Sequence, residues 1–418
     1  MLNVIRVGSL VAVLLLSLGR AGAEVASAAM FDPTALRDVR VTMDPADWQR
    51  IVDFPESSTV YPCAFEWNGE RLPDVGVRPK GQASRESGTK PSIRFRFNHY
   101  VSQTFRGLTR LDANALKGDP SMMRERLIYD TARRAGMIAP RWMHVRMFVN
   151  GIYIGLYGIL DQYDQAEVLR LLFPDHRGNL YKCTWTHGRR GGDVLEWVGD
   201  DPILYVGPTG PFDWQRRRTE TPDDLMSLLD AINNTSEEDF RSRLPGLLDM
   251  DAFLAYCALQ EVVAQEDWML SDITDFGQPL RRGGPSSNNW YFYSEPSMGR
   301  MYVMIWDVDA AMYEDWAVES WVVRDLYVGF DQHVLGRRVM AVPEWRRAFQ
   351  DKVRSLVGSA FAPGVVVADL DLIRAQIDEA ARQDPMRPYS YEDFRREGDR
   401  LRAQVPLRVQ NVIEQLGR

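Results

Sequence analysis

Residues 288–309 read NNWYFYSEPSMGRMYVMIWDVD, and this stretch predicts the β-hairpin around which the rest of the chain is arranged. The aromatic run 290–293 favours one strand, and the apolar run 301–306 favours its antiparallel partner. A turn centred near Ser297 and Met298 would place residues 288–289 opposite residues 306–307. The hairpin is therefore expected to bring two asparagines beside an Asp-x-Asp sequence.

Polar side chains stand at the open end of this predicted hairpin. Asn288 and Asn289 precede the first strand, and Asp307 and Asp309 follow the second. Amide and carboxylate oxygens are the ligands that a hard cation such as Mg²⁺ prefers. The same residue types are also common at solvated hairpin ends, so the spacing alone leaves both interpretations open.

The bulk composition is that of a folded globular protein. The chain has 418 residues, 45% hydrophobic and 26% charged, which is long enough for two domains. A formal net charge of −8 argues against a nucleic-acid binder. Cationic residues are mostly arginine, and the few lysines are Lys80, Lys90, Lys117, Lys182 and Lys352.

The first residues, MLNVIRVGSLVAVLLLSLGRAGAE, have the pattern of a secretory signal peptide. Arg6 precedes an apolar run over residues 7–18, and a small-x-small cleavage site ends at Ala23. The apolar run is too short for a comfortable membrane span, and no later segment reaches that length. We therefore expect residues 1–23 to be removed and the protein to be exported to the periplasm, the extracellular space or the cell surface, without a stable span.

The cysteines and histidines argue against two other kinds of site. Cys63, Cys183 and Cys257 form no CxxC or Cys/His cluster, so zinc binding is not expected, and their apolar surroundings predict buried, inert thiols. A serine hydrolase is also not expected, because there is no GxSxG sequence.

The chain divides by composition into three parts after the signal peptide. Residues 30–185 are rich in strands, with hairpin turns predicted at Asn68-Gly69 and Asn150-Gly151. Residues 186–220 are rich in Gly, Pro and Arg and are interpreted as a connecting loop, and residues 221–418 are mainly helical. The basic loop 78–90 could hold phosphates through its backbone N–H groups and cations, or could simply be solvated.

Seven motifs occur in an order that resembles the spore coat protein H (CotH) kinase family, over roughly residues 35–415. In chain order they are GVRPKG (76–81), DPSMMRERLIYD (119–130), AGMIAP (135–140), VNGIYIGLY (149–157), GNLYK (178–182), NNWYFY (288–293) and WDVD (306–309). The resemblance implies an α+β, bilobal atypical protein-kinase-like fold, with a strand-rich N-terminal lobe and a mainly helical C-terminal lobe.

The resemblance also implies an ATP-dependent kinase that acts on secreted or surface proteins with Mg²⁺ or Mn²⁺. Phosphoryl transfer needs cations on the phosphates, a bridging metal and a carboxylate that orients the hydroxyl nucleophile. Asp267 is identified with the catalytic aspartate. The residues identified with phosphate binding are Lys80, Arg78, Arg124 and Lys182. The residues identified with the metal are Asp307, Asn289 and Asp309.

Two departures from the family pattern leave alternatives open. The gap from Asp267 to the asparagines is longer than usual and contains Asp272 and Asp275, so any of the three could be the catalytic carboxylate. Asp161 stands where many members carry glutamate, which would weaken an ion pair with Lys80. An inactive structural or adhesion protein with the same fold is therefore the alternative, and a different metal-assisted hydrolase is a more distant one.

Overall fold

The computed structural model describes residues 30–81, 87–183, 193–271, 287–314 and 320–417, which fall into two compact units. The first unit contains the described residues up to Lys117 together with Arg141–Leu171 and Gln376–Ser390. The second unit contains Gly118–Pro140, Leu172–Ala375 and the chain from Tyr391 onward. The mixed α+β class agrees with the expectation from sequence, whereas the units do not divide at residues 185 and 220.

The first unit is a closed barrel of seven strands in the order β1-β2-β3-β4-β5-β7-β6. The barrel closes because β6 pairs in parallel with β1, while the other neighbours are antiparallel. The strands are β1 (Arg37–Met43), β2 (Tyr61–Trp67), β3 (Glu70–Pro79), β4 (Ile93–Arg96), β5 (Arg110–Asn114), β6 (Trp142–Val149) and β7 (Ile152–Leu160). The helices in this part are α1 (Pro45–Asp53) and α3 (Ala166–Leu172).

Alternation along the strands builds the barrel core. The Phe65 ring packs against the rings of Phe95, Phe97 and Phe105 with centroids 5.0–5.1 Å apart, and all four side chains are buried. Burying one such side chain contributes about 1.5–3 kcal/mol. Both predicted hairpin turns are confirmed, because Asn68-Gly69 and Asn150-Gly151 each have two successive positive φ angles, as a two-residue hairpin turn requires.

A buried ion pair holds the segment Gln376–Ser390 in the first unit. Lys90 Nζ lies 2.6 Å from Asp384 Oδ2, and both side chains are 0% exposed. The same carboxylate accepts a hydrogen bond from Leu156 N (2.9 Å), and Lys90 Nζ donates to Leu156 O. The pair therefore joins the loop before β4, strand β7 and the C-terminal part of the chain at one point.

The second unit contains a four-stranded antiparallel sheet in the order β11-β10-β8-β9, together with the other helices. Its strands are β8 (Asn179–Cys183), β9 (Phe212–Arg216), β10 (Trp290–Glu295) and β11 (Arg300–Ile305). The helices are α2 (Arg124–Arg134), α4 (Ile203–Val206), α5 (Asp223–Asn233), α6 (Glu237–Leu247), α7 (Met250–Val262), α8 (Val334–Ala341), α9 (Pro343–Gly358), α10 (Pro363–Gln383, which continues into the first unit) and α11 (Tyr391–Leu416).

The predicted central hairpin is confirmed with its register. Strand β10 pairs with β11 from Trp290 opposite Ile305 to Glu295 opposite Arg300, which centres the turn between residues 297 and 298. Continuing the register past Trp290 brings residues 288–289 opposite 306–307, as expected. The Glu295 carboxylate accepts hydrogen bonds from Ser297 Oγ and Met298 N and so fixes the turn.

Two local expectations differ from the structure. The Asp119-Pro120 pair predicts a helix with Asp119 as N-cap and Pro120 as its first residue. Helix α2 instead begins at Arg124, because the Asp119 carboxylate accepts hydrogen bonds from the N–H groups of Met123 and Arg124 across an intervening turn (both 2.8 Å). Residues 186–220 are not only a loop, since residues 212–216 pair with β8 as a strand. Residues 186–192 of that range lie outside the described residues.

All three cysteine thiols lie in the described residues, where they are buried and free, as predicted. Burial raises the pKa of Cys63 to about 12 and raises the pKa values of Cys183 and Cys257 as well. Within the described chain, no single helix is long and apolar enough to cross a membrane. Helices α9 and α10, bent by 54° at their junction, pass that test together by length and composition alone. The predicted signal peptide lies outside the described residues.

Candidate functional site

The open end of the hairpin has an unusual backbone on both strands. Asn289 and Asp307 both have positive φ angles, +58° and +52°. Asn and Asp are the non-glycine residues that adopt this region most readily, and such conformations cluster at functional sites. The backbone at each strand end therefore turns sharply where the sequence places its amide and carboxylate groups.

Asp267 lies directly against the start of the hairpin. Its Oδ2 accepts hydrogen bonds from Asn289 Nδ2 at 2.7 Å and from Asn288 Nδ2 at 3.4 Å. Gln265 Nε2 donates to the backbone oxygens of Asp307 (3.0 Å) and Asp267 (3.2 Å), which ties the segment after α7 to the end of β11. The structure thus brings Asp267, Asn289 and Asp307 together within the second unit.

The surroundings of Asp267 change its acidity. Burial and the negative charge of Asp307 raise the pKa of Asp267 to about 7, against the lowering effect of the hydrogen bonds from Asn288 and Asn289. Asp272 and Asp275, the other candidates for the catalytic carboxylate, lie outside the described residues. Asp267 accordingly combines contact with the hairpin and a pKa near neutrality.

Asp309 is a second buried carboxylate of the group with a raised pKa. Burial raises its pKa well above the ordinary value, and the charges of Asp307, Glu125, Asp119 and Asp267 raise it further. A Cβ at Gly118 would overlap Asp309 Oδ2, so this close approach requires glycine. Several carboxylates therefore share one region, and a bound divalent cation would relieve their repulsion.

The group has the oxygen donors that Mg²⁺ prefers but no complete cage. Among the described residues, no three His, Cys, Asp or Glu side chains form a ready cluster of metal ligands. Mg²⁺ commonly takes only one or two protein carboxylates and completes its shell with water and phosphate oxygens. Because Asn289 uses its amide nitrogen on Asp267, its carbonyl oxygen is the atom suited to a cation. The residues present fit such a partial site.

Side chains of helix α2 form hydrogen bonds with the backbone just after β11. The Tyr129 hydroxyl accepts a hydrogen bond from Asp307 N at 2.9 Å. Arg124, predicted to contact phosphate, is 0% exposed and forms ion pairs with Asp119 and Glu397. It also donates to the backbone oxygens of residues 311 and 312 (2.9 and 3.0 Å), just after Asp309. This geometry favours a structural role for Arg124 over the predicted phosphate contact.

Lys182 lies on β8 beside the same end of the hairpin. It is opposite Tyr291 in the β8–β10 register, and its Nζ lies 5.6 Å from the ring centroids of both Tyr291 and Trp306. Trp306 directly precedes Asp307, so the ammonium group is held over aromatic faces next to the carboxylates. Its predicted phosphate contact stays a prediction, and the geometry is compatible with it.

Lys80 belongs to the first unit, where its acidic partner differs from the expected one. Lys80 Nζ donates to Asn114 Oδ1 (2.5 Å) and lies 3.3 Å from Asp112 Oδ2. Asp161, expected to pair with Lys80, instead accepts two hydrogen bonds from Arg141 (2.7 and 2.9 Å). The expected Lys80–Asp161 pair is thus replaced by a Lys80–Asp112 pair.

Asp112 is fully buried and also accepts two hydrogen bonds from Arg94, at 2.6 and 2.7 Å. Burial alone would raise its pKa, but the charges of Lys80 and Arg94 outweigh burial and hold the pKa well below its usual range. Arg78, the other predicted phosphate residue of this loop, donates to Pro79 O at 2.9 Å. The phosphate roles of Lys80 and Arg78 stay predictions.

Asp112 and Gln265 were missed by the sequence reasoning. Asp112 sits in RLDAN, where a buried acid stands between apolar residues, and the nearby SIRFRFN offers arginines to pair with it. An acid between apolar residues, with arginines on a nearby strand, indicates a buried ion pair and could have been found from the sequence. Gln265 acts through its side-chain amide on backbone oxygens, and nothing in the local sequence distinguishes it from other polar residues after a helix.

Comparison with known proteins gives a family match over most of the chain. Residues 77–412 match the family model described as CotH kinase protein. The chain is 21% identical to Inner spore coat protein H of Bacillus subtilis over 358 residues, which is 85% of this chain and 90% of that protein. It is 26% identical to Invasin CotH3 of Rhizopus delemar over 189 residues, or 43% of this chain and 30% of that protein.

Among solved structures, the Helicobacter pylori proinflammatory kinase CtkA aligns with this chain. The alignment covers 86% of this chain and 93% of CtkA, at 10% identity and a TM-score of 0.30. That score is too low to support an argument about this chain.

Proposed function

Because the chain belongs to the CotH kinase protein family, we propose that it transfers the γ-phosphate of ATP to hydroxyl groups of protein substrates. The family match confirms the resemblance seen in the motifs. The observation that carries the proposal is the group formed by Asp267, Asn289, Asp307 and Asp309 at the open end of the hairpin. Phosphoryl transfer depends mainly on positioning and electrostatic stabilisation, which such a group supplies.

We assign Asp267 the role of orienting the acceptor hydroxyl and taking its proton. A general base works best when its pKa lies near the working pH, and the pKa of Asp267 is about 7. The hydrogen bonds from Asn288 and Asn289 fix the rotamer of this carboxylate. Its position just after the buried helix α7 limits its movement further.

The proposed cation ligands are Asp307, Asn289 and Asp309. A bound Mg²⁺ or Mn²⁺ would neutralise negative charge on the phosphates during transfer. The protein residues hold these oxygens in place through Tyr129 on the backbone of residue 307 and Gln265 on its carbonyl oxygen. The pKa of Asp309, raised by burial and by the charges of the neighbouring carboxylates, supports this assignment, since a bound cation would offset that repulsion.

The proposed phosphate-binding residues are Lys80, Arg78 and Lys182. Lys80 has an acidic and an amide partner on β5 that orient its ammonium group. Lys182 is held over two aromatic rings beside the carboxylates of the hairpin end. These assignments rest on the motifs GVRPKG and GNLYK, and each is tested by a single substitution of the residue concerned.

Export to the cell surface or beyond is part of the proposal. Two of the similar proteins are named as a spore coat protein and an invasin, which places those proteins at surfaces. The first residues of this chain have the pattern of a signal peptide. The expected substrates are therefore secreted or surface proteins.

The decisive experiment measures transfer of labelled γ-phosphate from ATP to dephosphorylated casein, or to the protein itself, with Mg²⁺ or Mn²⁺. Asp307→Ala should abolish incorporation, and Asp267→Asn should reduce it by about 10²–10⁴-fold, the usual contribution of a general base. Asp371→Ala is the matched control, because Asp371 is half exposed and pairs with Arg402 at the surface.

Nucleotide binding is tested separately from transfer. ATP at about 100 times its dissociation constant should stabilise the wild type by about 2.7 kcal/mol, and Lys80→Ala should lose most of that effect. Undiminished incorporation by Asp307→Ala would contradict the assigned site. A wild type that neither binds nor transfers phosphate would contradict the proposed function.

A further inference from the structure

Four arginines of the second unit line a cavity of about 530 Å³, together with Gly178 and Gln215. They are Arg177, Arg216, Arg217 and Arg218, and we call this feature the arginine groove. The chain as a whole carries a formal charge of −8, so this concentration of positive charge runs against the average. A cavity of this kind attracts anionic ligands.

The guanidinium groups of the arginine groove are oriented by fixed partners. Arg177 donates to the Asp175 carboxylate from Nε (2.9 Å) and Nη2 (2.8 Å), and Arg218 Nη1 lies 3.8 Å from the same carboxylate. The Arg217 guanidinium lies over the Trp214 ring, 4.8 Å from its centroid. The side chains of Arg177 and Arg218 are still 69% and 42% exposed, so a ligand can reach them.

The cavity lies beside an outer strand of the sheet. In the described part of the chain, β9 ends the strand order β11-β10-β8-β9, and the arginines 216–218 end and follow β9. An outer strand presents backbone N–H and C=O groups with which an extended peptide can pair. The neighbouring strand β8 begins at Asn179, directly after Gly178 of the arginine groove. It contains Lys182, which lies beside the hairpin end that carries Asn289 and Asp307.

The length of β8 sets the distance between the arginine groove and the open end of the hairpin. From residue 178 to residue 183 an extended chain covers on the order of 17 Å, at about 3.3 Å per residue. A peptide lying along the sheet would therefore span from the arginine groove to the proposed catalytic carboxylates with about five to seven residues.

Building on the proposed kinase function, we propose that the arginine groove binds a phosphorylated residue of the protein substrate, about five to seven residues from the acceptor hydroxyl. Arginine favours phosphate because its planar fork donates two parallel hydrogen bonds to phosphate oxygens. Arg177 and Arg218 share the Asp175 carboxylate, and Arg217 adds a third cation over the Trp214 ring. Three guanidinium groups around one carboxylate match a doubly charged phosphate better than a singly charged carboxylate. A phosphate added at one site would then promote phosphorylation at the next.

The test measures binding of a fluorescein-labelled peptide by anisotropy, without nucleotide, to the full chain. The peptide carries one phosphoserine six residues from a serine, and matched peptides carry serine or glutamate in place of the phosphoserine. The double variant Arg217→Ala/Arg218→Ala should bind the phosphopeptide about tenfold or more weakly, because it loses charge-assisted hydrogen bonds. The control Arg241→Ala/Arg243→Ala removes two exposed arginines of α6 and should bind like the wild type.

Each outcome either supports or overturns the inference. Equal wild-type affinity for the serine and phosphoserine peptides overturns it, as does undiminished binding by the Arg217→Ala/Arg218→Ala variant. Preferential binding of vesicles containing phosphatidic acid would overturn the peptide as the occupant. The Asp307→Ala variant should bind the phosphopeptide normally. A wild type that prefers the phosphopeptide but transfers no phosphate from ATP would count against the kinase proposal alone. A wild type that transfers phosphate but shows no preference for the phosphopeptide would count against the arginine groove alone.

Discussion

Replacing Asp267 by asparagine should reduce the pH dependence of the free energy of unfolding. The folded-state pKa of Asp267 is about 7, above its ordinary value of 3.8, because of burial and the charge of Asp307. Between these pH values the folded protein holds a proton that the unfolded chain releases. The free energy of unfolding therefore falls as pH rises across this window, by about 1.4 kcal/mol per pH unit.

The size of this change in the free energy of unfolding follows from how far the pKa of Asp267 is raised. A rise of about three pKa units corresponds to a destabilisation of up to about 4 kcal/mol that is absent below pH 4 and complete above pH 7. Asparagine at residue 267 keeps an oxygen for the Asn289 hydrogen bond but carries no charge. The variant should therefore gain stability relative to the wild type as pH rises, whatever constant offset the substitution causes.

Urea denaturation of both proteins from about pH 4 to pH 8, followed by circular dichroism, measures the difference. Asp371→Asn serves as a control, because an exposed surface ion pair contributes only about 0–1 kcal/mol. A difference between Asp267→Asn and the wild type that stays constant over this pH range would refute the electrostatic account of the site.

Three further predictions concern other charged groups. Asp384→Asn should lower the free energy of unfolding by about 3–5 kcal/mol in denaturation experiments, because it leaves the buried Lys90 ammonium without its counter-charge. The double variant Lys90→Met/Asp384→Leu should recover much of that loss. Asp112→Asn should weaken ATP binding in a thermal-shift titration far more than Asp161→Asn, and equal effects would contradict the revised pairing. Mg²⁺ should raise the melting temperature more near pH 8 than near pH 5.5, because the carboxylates must lose protons before they bind it; Asp307→Asn should remove this difference.

Much of the local structure was predictable from residue patterns. The hairpin register followed from an aromatic run, an apolar run and a turn centred near residues 297 and 298. The two Asn-Gly turns followed from the need for positive φ angles. In each case the cause lies within a few neighbouring residues or in one hairpin.

Features that depend on distant residues were predicted less well. The strand at residues 212–216 was hidden in an arginine-rich stretch with little hydrophobic alternation, and it forms because β8 offers it a partner. Helix α2 starts at Arg124 and not at the predicted Pro120, because the Asp119 carboxylate accepts hydrogen bonds from the N–H groups of Met123 and Arg124 from outside the helix. The arginine groove could be identified only from the structure, because its residues come together through the pairing of β8 with β9.

The sequence by itself determined the hairpin, its register and the chemical character of its open end, because strand preference and turn length act over short distances. Only the tertiary structure decided which charges face one another. Lys80 pairs with Asp112 rather than Asp161 because the barrel order β3-β4-β5 brings the exit of β3 near β5, while Asp161 is held by Arg141. Strand order is set by packing of the whole unit, and the ion pairs follow from it.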